Sequence, residues 1–227
     1  MISKNLTKFA KDNWGQYKTT ISDASKSDAG VVLVKSPIEI YNFDDISKLY
    51  FPSEGVSTSA DGVLFKENDT QLIEFKSGFK QRVTKNKFDP EKGKCEHSET
   101  VCKDYWDLFW ENQDRKIQEL VMSIRTKAIE SYITLEKQIF PICDNYTSGK
   151  QAKVTFTAVI DEDGAEGLED AMADVAGCEV TNNRISDIRK SFKRLTKRKD
   201  ANGNDYLYDE IRVLTVAEFS EWLKTVS

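Results

Sequence analysis

A single histidine, His97, stands in the whole chain of 227 residues. Ser-His-Asp or Cys-His catalysis would have to run through that residue, which lies in a charged stretch without hydrophobic periodicity. No apolar run approaches the roughly 18 residues of a membrane span. Met1-Ile2-Ser3-Lys4-Asn5 lacks the apolar core that a signal peptide needs. The expectation is a cytoplasmic protein with no membrane partner. G-X-G-X-X-G and G-X4-G-K-(S/T) are both missing, so neither a Rossmann site nor a P-loop has support. There is no internal repeat and no low-complexity tract. The four cysteines (Cys95, Cys102, Cys143, Cys178) are widely spaced and read as reduced thiols. Cys95, His97 and Cys102, with Cys143 as a fourth ligand, could bind Zn²⁺, but the spacing fits no common zinc module. A flexible loop is the better reading of that stretch.

Charge, by contrast, is abundant: 31% of residues, with a net value of −5. Its distribution says more than its sum. Arg184 to Lys199 holds eight basic residues against Asp187, and Lys76 to Lys94 holds seven against Asp89 and Glu91. Asp161 to Glu179 holds eight acids and no base. Basic stretches on an acidic protein are compatible with a nucleic-acid groove, because screening confines each charge to about 8–10 Å. An ordinary solvated helix face fits Arg184–Lys199 equally well. Lys80, Arg82, Arg189, Lys193 and Arg194 are the candidate contacts to nucleic acid.

In chain order, Phe9, Ala10, Trp14 and Tyr17 suit a short amphipathic helix, and 16–30 reads as a loop. Val31–Val34 is a short apolar run. Ile38–Phe43 alternates as a strand does, and Asp44 could cap a short helix over 45–49. Lys80 to Lys103 is a charged insertion. The main helix starts near Asp104, with a stripe of Ile117, Leu120, Val121, Ile124, Ala128, Tyr132, Leu135 and Ile139, and Pro141 marks its end. Trp106, Phe109 and Trp110 read as core anchors. The opposite face, with Arg115, Gln118, Glu119, Arg125, Thr126 and Glu130, should be wet. Ala152–Ile160 is the clearest strand, ended by Asp161-Glu162-Asp163-Gly164. A helix near Ile185–Leu195 and a strand over 206–214 follow. Thr215-X-X-Glu218 has the form of a capping box opening a last helix on Phe219 and Trp222-Leu223. The length suits one α/β domain, 1–227, with a core of about 31–160 and a helix-strand-helix extension over about 165–227.

One stretch carries chemistry. From Asp61 to Lys76 the pattern is a β-hairpin: Val63-Leu64-Phe65, a turn at Asn68-Asp69, then Leu72-Ile73-Glu74-Phe75-Lys76. With Asn68-Asp69 as a two-residue loop, Phe65 faces Leu72, Val63 faces Glu74 and Asp61 faces Lys76. Alternation then puts Asp61, Glu74 and Lys76 on one face, with Asp61 diagonal to Glu74 at roughly 7–8 Å. Two carboxylates so placed can hold a hard cation between them, and a lysine beside them can orient water or meet developing charge. The bland alternative is a surface hairpin with a cross-strand ion pair. Against it, Leu72, Ile73 and Phe75 have the bulk of a buried central strand.

Asp61, a gap of twelve residues, then Glu74-Phe75-Lys76 resembles the D…(D/E)-X-K signature of the PD-(D/E)XK nuclease superfamily. Ala60 stands where that motif often has proline. The resemblance covers about twenty residues, and its implications reach further. It implies a restriction-endonuclease-like α/β core, a central mixed β-sheet flanked by helices, with the charged insertion after the catalytic strand. It implies a Mg²⁺- or Mn²⁺-dependent nuclease that hydrolyses phosphodiester bonds, with DNA the first expectation and the choice between DNA and RNA left open by the residues. Asp61 and Glu74 would bind the metal with the Phe75 carbonyl, and Lys76 would assist the attacking water. Glu39, Asp44, Asp45 or Glu54 could supply a further acid, and Gln113, Lys116 or Lys127 could reach in from the helix. Such nucleases are often homodimers or components of larger systems. The alternative is a catalytically silent module with the same fold that binds nucleic acid or protein.

Overall fold

The computed structural model describes residues 6–50, 58–66, 69–79, 101–143, 153–161, 188–192 and 207–225; the side chains of 101–107, 109, 110, 113, 114 and 117 are outside that description. Its elements are α1 (Thr7–Asn13), β1 (Lys18–Thr20), α2 (Ile21–Ala24), β2 (Glu39–Asn42), α3 (Phe43–Tyr50), β3 (Gly62–Lys66), β4 (Asp69–Lys76), α4 (Val101–Thr134), α5 (Phe140–Ile142), β5 (Lys153–Ile160), β6 (Glu210–Thr215) and α6 (Val216–Lys224). A π-helical turn, Leu135–Ile139, joins α4 to α5. The chain is thus α/β. The segment 16–30, expected as a loop, contains β1 and α2, while 31–34 contributes only an isolated bridge, Lys26 with Val32. Three residues are too short a strand to show alternation. α3 starts earlier than expected because Asn42, not Asp44, accepts the N–H of Asp45 at 3.0 Å. Pro141 does not stop the helix outright: it falls in the first turn of α5, where its missing N–H costs nothing.

Six strands form one sheet in the order β1-β2-β3-β4-β5-β6. β1 to β4 pair antiparallel, whereas β4, β5 and β6 run parallel. A parallel pair needs a long crossover, and α4 lies in the one between β4 and β5. β4 therefore sits in the middle of the sheet, as Leu72, Ile73 and Phe75 suggested.

Alternation sorts the two faces. Val63, Leu72, Val154, Phe156, Ala158, Ile160 and Val213 join the larger core with α1, α3 and α4. Ile40, Ile73, Phe75 and Val159 point the other way, onto Ile21, Phe219 and Leu223. Along α4 and the π-helical turn most of the expected stripe is realised: Ile124, Ala128, Tyr132, Leu135 and Ile139 are buried, Leu120 and Val121 partly so, and the side chain of Ile117 lies outside the description. The last helix begins on the expected box, with Thr215 accepting from the Glu218 N–H and Glu218 from the Thr215 N–H. Among the described residues no helix is long and apolar enough to cross a membrane.

The hairpin register differs from the expected one. Lys66 pairs with Asp69, Phe65 with Thr70, Val63 with Leu72 and Gly62 with Ile73, whereas the expected register put Phe65 opposite Leu72. The shift is two places. Because side chains repeat every two residues, the face of every residue survives such a shift. Asp61 now stands level with Glu74, where Lys76 was expected, and the two acids come closer than the diagonal arrangement allowed.

Candidate metal centre

Asp61 lies just before β3, in a segment stitched to two helices. From α4, Glu130 Oε2 accepts the Thr58 N–H (2.5 Å) and hydroxyl (2.9 Å), and Ser131 Oγ accepts the buried Ala60 N–H at 2.8 Å. From α3, Asp44 Oδ1 accepts the Ser59 hydroxyl at 2.9 Å, and the Asp61 carbonyl accepts the Phe43 N–H at 3.2 Å. Glu130 is thus a structural clamp and not simply a wetted residue. Its hydrogen bonds, with that of Ser131, set the distance between α4 and the Asp61 carboxylate. Ser131→Ala would leave the Ala60 N–H buried without an acceptor. The expected loss is about 1–3 kcal/mol of stability in urea denaturation.

Glu74 and Lys76 follow on β4. The far end of that strand is held where Asp161, at the tip of β5, accepts the N–H groups of Gly78 (2.8 Å) and Phe79 (2.7 Å). Gly78 has φ +107°, in the left-handed region that a side chain disfavours, which lets the chain turn onto Asp161.

The carboxylates converge. Asp61 Oδ2 accepts the Phe75 N–H at 2.7 Å, while Oδ1 faces the Lys127 ammonium at 3.1 Å. The same ammonium lies 2.9 Å from Glu74 Oε2. Glu74 is fully buried, and among the described residues its Oε1 has no hydrogen-bond partner. Burial first, then the Asp61 charge, pushes its pKa up to about 8, against the opposing pull of Lys127 and Lys76. Lys127 feels burial most strongly, which disfavours its charge, but the two carboxylates outweigh that and raise its pKa. Lys76 shares the face and acts on Glu74 by charge alone, its Nζ resting 3.3 Å from Ser123 Oγ.

Asp61, Glu74 and Lys76 are therefore together on the α4 side of the sheet, with Lys127 between the acids. Phe75 presents its N–H to the site. Glu39 is not there: the β2–β3 register puts it level with Phe65, roughly 13 Å along the strands from Asp61, and it pairs with Lys18 at 2.7 Å. Asp44 and Asp45 are engaged by Ser59, Lys48 and Asn42. Lys116 is exposed, eleven residues before Lys127 and so about 16 Å along α4. Arg189 is occupied internally, bonding the Val213 carbonyl (3.1 Å) and both Glu218 oxygens (2.9 Å). Cys143 is buried in the larger core. Glu54, Lys80, Arg82, Cys95, His97, Lys193 and Arg194 lie outside the described residues, as do the side chains of Cys102, Trp106, Phe109, Trp110 and Gln113.

The residues that sequence reasoning missed are Ser123, Glu130 and Ser131. With Lys127 they run along one edge of the apolar stripe of α4. Small polar residues there, at helical spacing from Lys127, were a readable signal. Among the described residues no group of three His, Cys, Asp or Glu side chains gathers. Compared with protein-family models, with curated proteins and with solved structures, the chain matches none of them.

Proposed function

We propose that this chain is a divalent-metal-dependent nuclease of restriction-endonuclease-like fold, hydrolysing phosphodiester bonds in nucleic acid, with DNA the first substrate to try. One observation carries the reading: the carboxylates of Asp61 and Glu74 converge on a single cation position, beside Lys76, at the end of the central strand. A fully buried glutamate whose Oε1 lacks a donor is costly for a fold and useful for a site. Three antiparallel strands, a long helix and a parallel strand, in that order, are what the resemblance requires.

Mg²⁺ or Mn²⁺ suits the donor set. Hard cations take carboxylate oxygens and few protein ligands, and Asp61 Oδ1, Glu74 Oε2 and the idle Oε1 are of that kind. Asp61 and Glu74 would hold the ion. Bound there, it would polarise a phosphate oxygen and acidify a water. The Phe75 N–H fixes the rotation of the Asp61 carboxylate by holding Oδ2. Glu74 holds a proton on its carboxyl group below about pH 8 and must release it to act as a ligand. Lys76, which among the described residues bonds a serine hydroxyl alone, is available to a phosphate or a nucleophilic water at little cost.

The test is cleavage of single- and double-stranded DNA and of RNA with Mg²⁺ or Mn²⁺. Wild-type protein should cut at least one of them and stop when the metal is chelated. Asp61→Asn or Lys76→Met should lose at least on the order of 1,000-fold in rate, while folding as wild type does. Failure of wild-type protein on every substrate would sink the proposal. A second reading has one observation in its favour: a lysine already occupies the position between the two acids, as it would in a silent module that binds nucleic acid or protein. Such a module would show no Mg²⁺-dependent rise in melting temperature that Asp61→Asn removes.

A further inference from the structure

The Lys127 ammonium lies 3.1 Å from Asp61 Oδ1 and 2.9 Å from Glu74 Oε2, the two oxygens that a cation between these acids would use. Mg²⁺ approaches such oxygens to about 2.0–2.1 Å. Ion and ammonium cannot share the same lone pairs, and their like charges repel at that range. We propose that Lys127 is a tethered resident cation: it competes with the divalent ion for Asp61 and Glu74 and is expelled from between them when the ion binds. The inference rests on the metal site proposed above.

Four features of the molecule make this an exchange and not a static ion pair. The root of Lys127 is fixed relative to Asp61, because Glu130 and Ser131 of the same helix bond the chain at Thr58 and Ala60. Only the flexible stem has to move. The side chain is 23% exposed, so the ammonium has a way out to solvent, whereas Glu74 at 0% has none. Among the described residues of the helix no side chain holds the ammonium in place: Ser123, one turn away, is engaged by Lys76. Lastly, the lysine satisfies the acids incompletely, since Glu74 Oε1 still lacks a donor. A divalent ion, with twice the charge and a closer approach to oxygen, offers that carboxylate more than one ammonium can.

Expulsion has a consequence for substrate. It leaves an ammonium on a four-carbon stem at the mouth of the site, beside Lys76 and a doubly charged ion. A phosphodiester is the counter-ion that suits this arrangement. The lysine is thus freed for substrate only once the metal is in place.

The measurement is Mg²⁺ binding by calorimetry, at about pH 9 so that protons compete least for Glu74. Removing a resident competitor raises the fraction of binding-competent sites. Lys127→Met should therefore bind Mg²⁺ about tenfold more tightly than wild-type protein. A second readout needs no variant: acylation of the Lys127 amine, followed by peptide mass spectrometry, should speed up several-fold when Mg²⁺ is added to wild-type protein. Equal or weaker binding by a folded Lys127→Met, or labelling of Lys127 that ignores Mg²⁺, overturns the inference and leaves the metal site standing. Absence of Mg²⁺ binding in both proteins removes the metal site itself, and the inference with it. Should Lys127→Met fail to fold, the labelling of wild-type protein decides alone.

Discussion

Glu74→Gln is expected to reduce Mg²⁺-dependent cleavage by at least on the order of 1,000-fold, and yet to leave the protein as stable as wild type near pH 5.5 and more stable near pH 9. The amide has the shape of the protonated acid, and below about pH 8 the protonated acid is the form that burial and Asp61 favour. The substitution is therefore nearly silent for packing in acid. Above that pH the wild-type side chain must hold a charge with 0% exposure and an unpartnered Oε1, a cost the amide does not bear. Activity fails because a neutral amide cannot supply the anionic oxygen a hard cation needs. Cleavage assays with urea denaturation at the two pH values check both halves. Loss of several kcal/mol at both pH values would identify Glu74 as an element of the fold and not of a site.

Wild-type stability should fall as pH rises from the ordinary carboxylate range to about 8, then level off. An acid whose pKa is higher in the folded than in the unfolded chain leaves the folded state holding the extra proton within that window. Stability is then lost at up to about 1.4 kcal/mol per pH unit, a few kcal/mol in all. Lys127 does not mask the effect. Its pKa is raised, so its contribution persists until the pH exceeds that of an ordinary lysine, well outside the window. Metal binding should show the mirror image. The ligand is the anion, so Mg²⁺ affinity should climb up to about tenfold per pH unit below about pH 8, with release of a proton. Calorimetry in buffers of different ionisation enthalpy counts that proton. An affinity that does not change between about pH 6 and pH 8 would exclude Glu74 as the titrating ligand.

Much of the site was legible before the fold was known, and the reason is periodicity. Asp61, Glu74 and Lys76 share a face in any register that differs by an even number of residues, so an incorrect turn at Asn68-Asp69 still placed them together. Which acid faces which residue was not legible. Glu67-Asn68 and Asn68-Asp69 are both acceptable two-residue connections, and the choice rests on packing: Val63 opposite Leu72 and Phe65 opposite Thr70, with Phe65 set against Trp14 and Tyr41 at 6.0 and 5.7 Å. The capping box at Thr215 and the buried stripe of α4 were legible because each is a contact between near neighbours along one helix.

By itself, then, the amino-acid sequence determined the longer strands and the main helix, their faces and the presence of two acids and a lysine on one face of a hairpin with a buried strand. Only the tertiary structure decided what stands between those acids. Lys127 lies 53 residues from Glu74 in the chain, and its position depends on the rotation and depth at which α4 settles on the sheet. Those two quantities are set by contacts of long sequence separation: Ser131 with Ala60, Glu130 with Thr58, and Tyr208 with the Ala128 carbonyl. No local pattern encodes them. The same distinction removed Glu39, which sits on the correct face of a strand but about four residues too far along it.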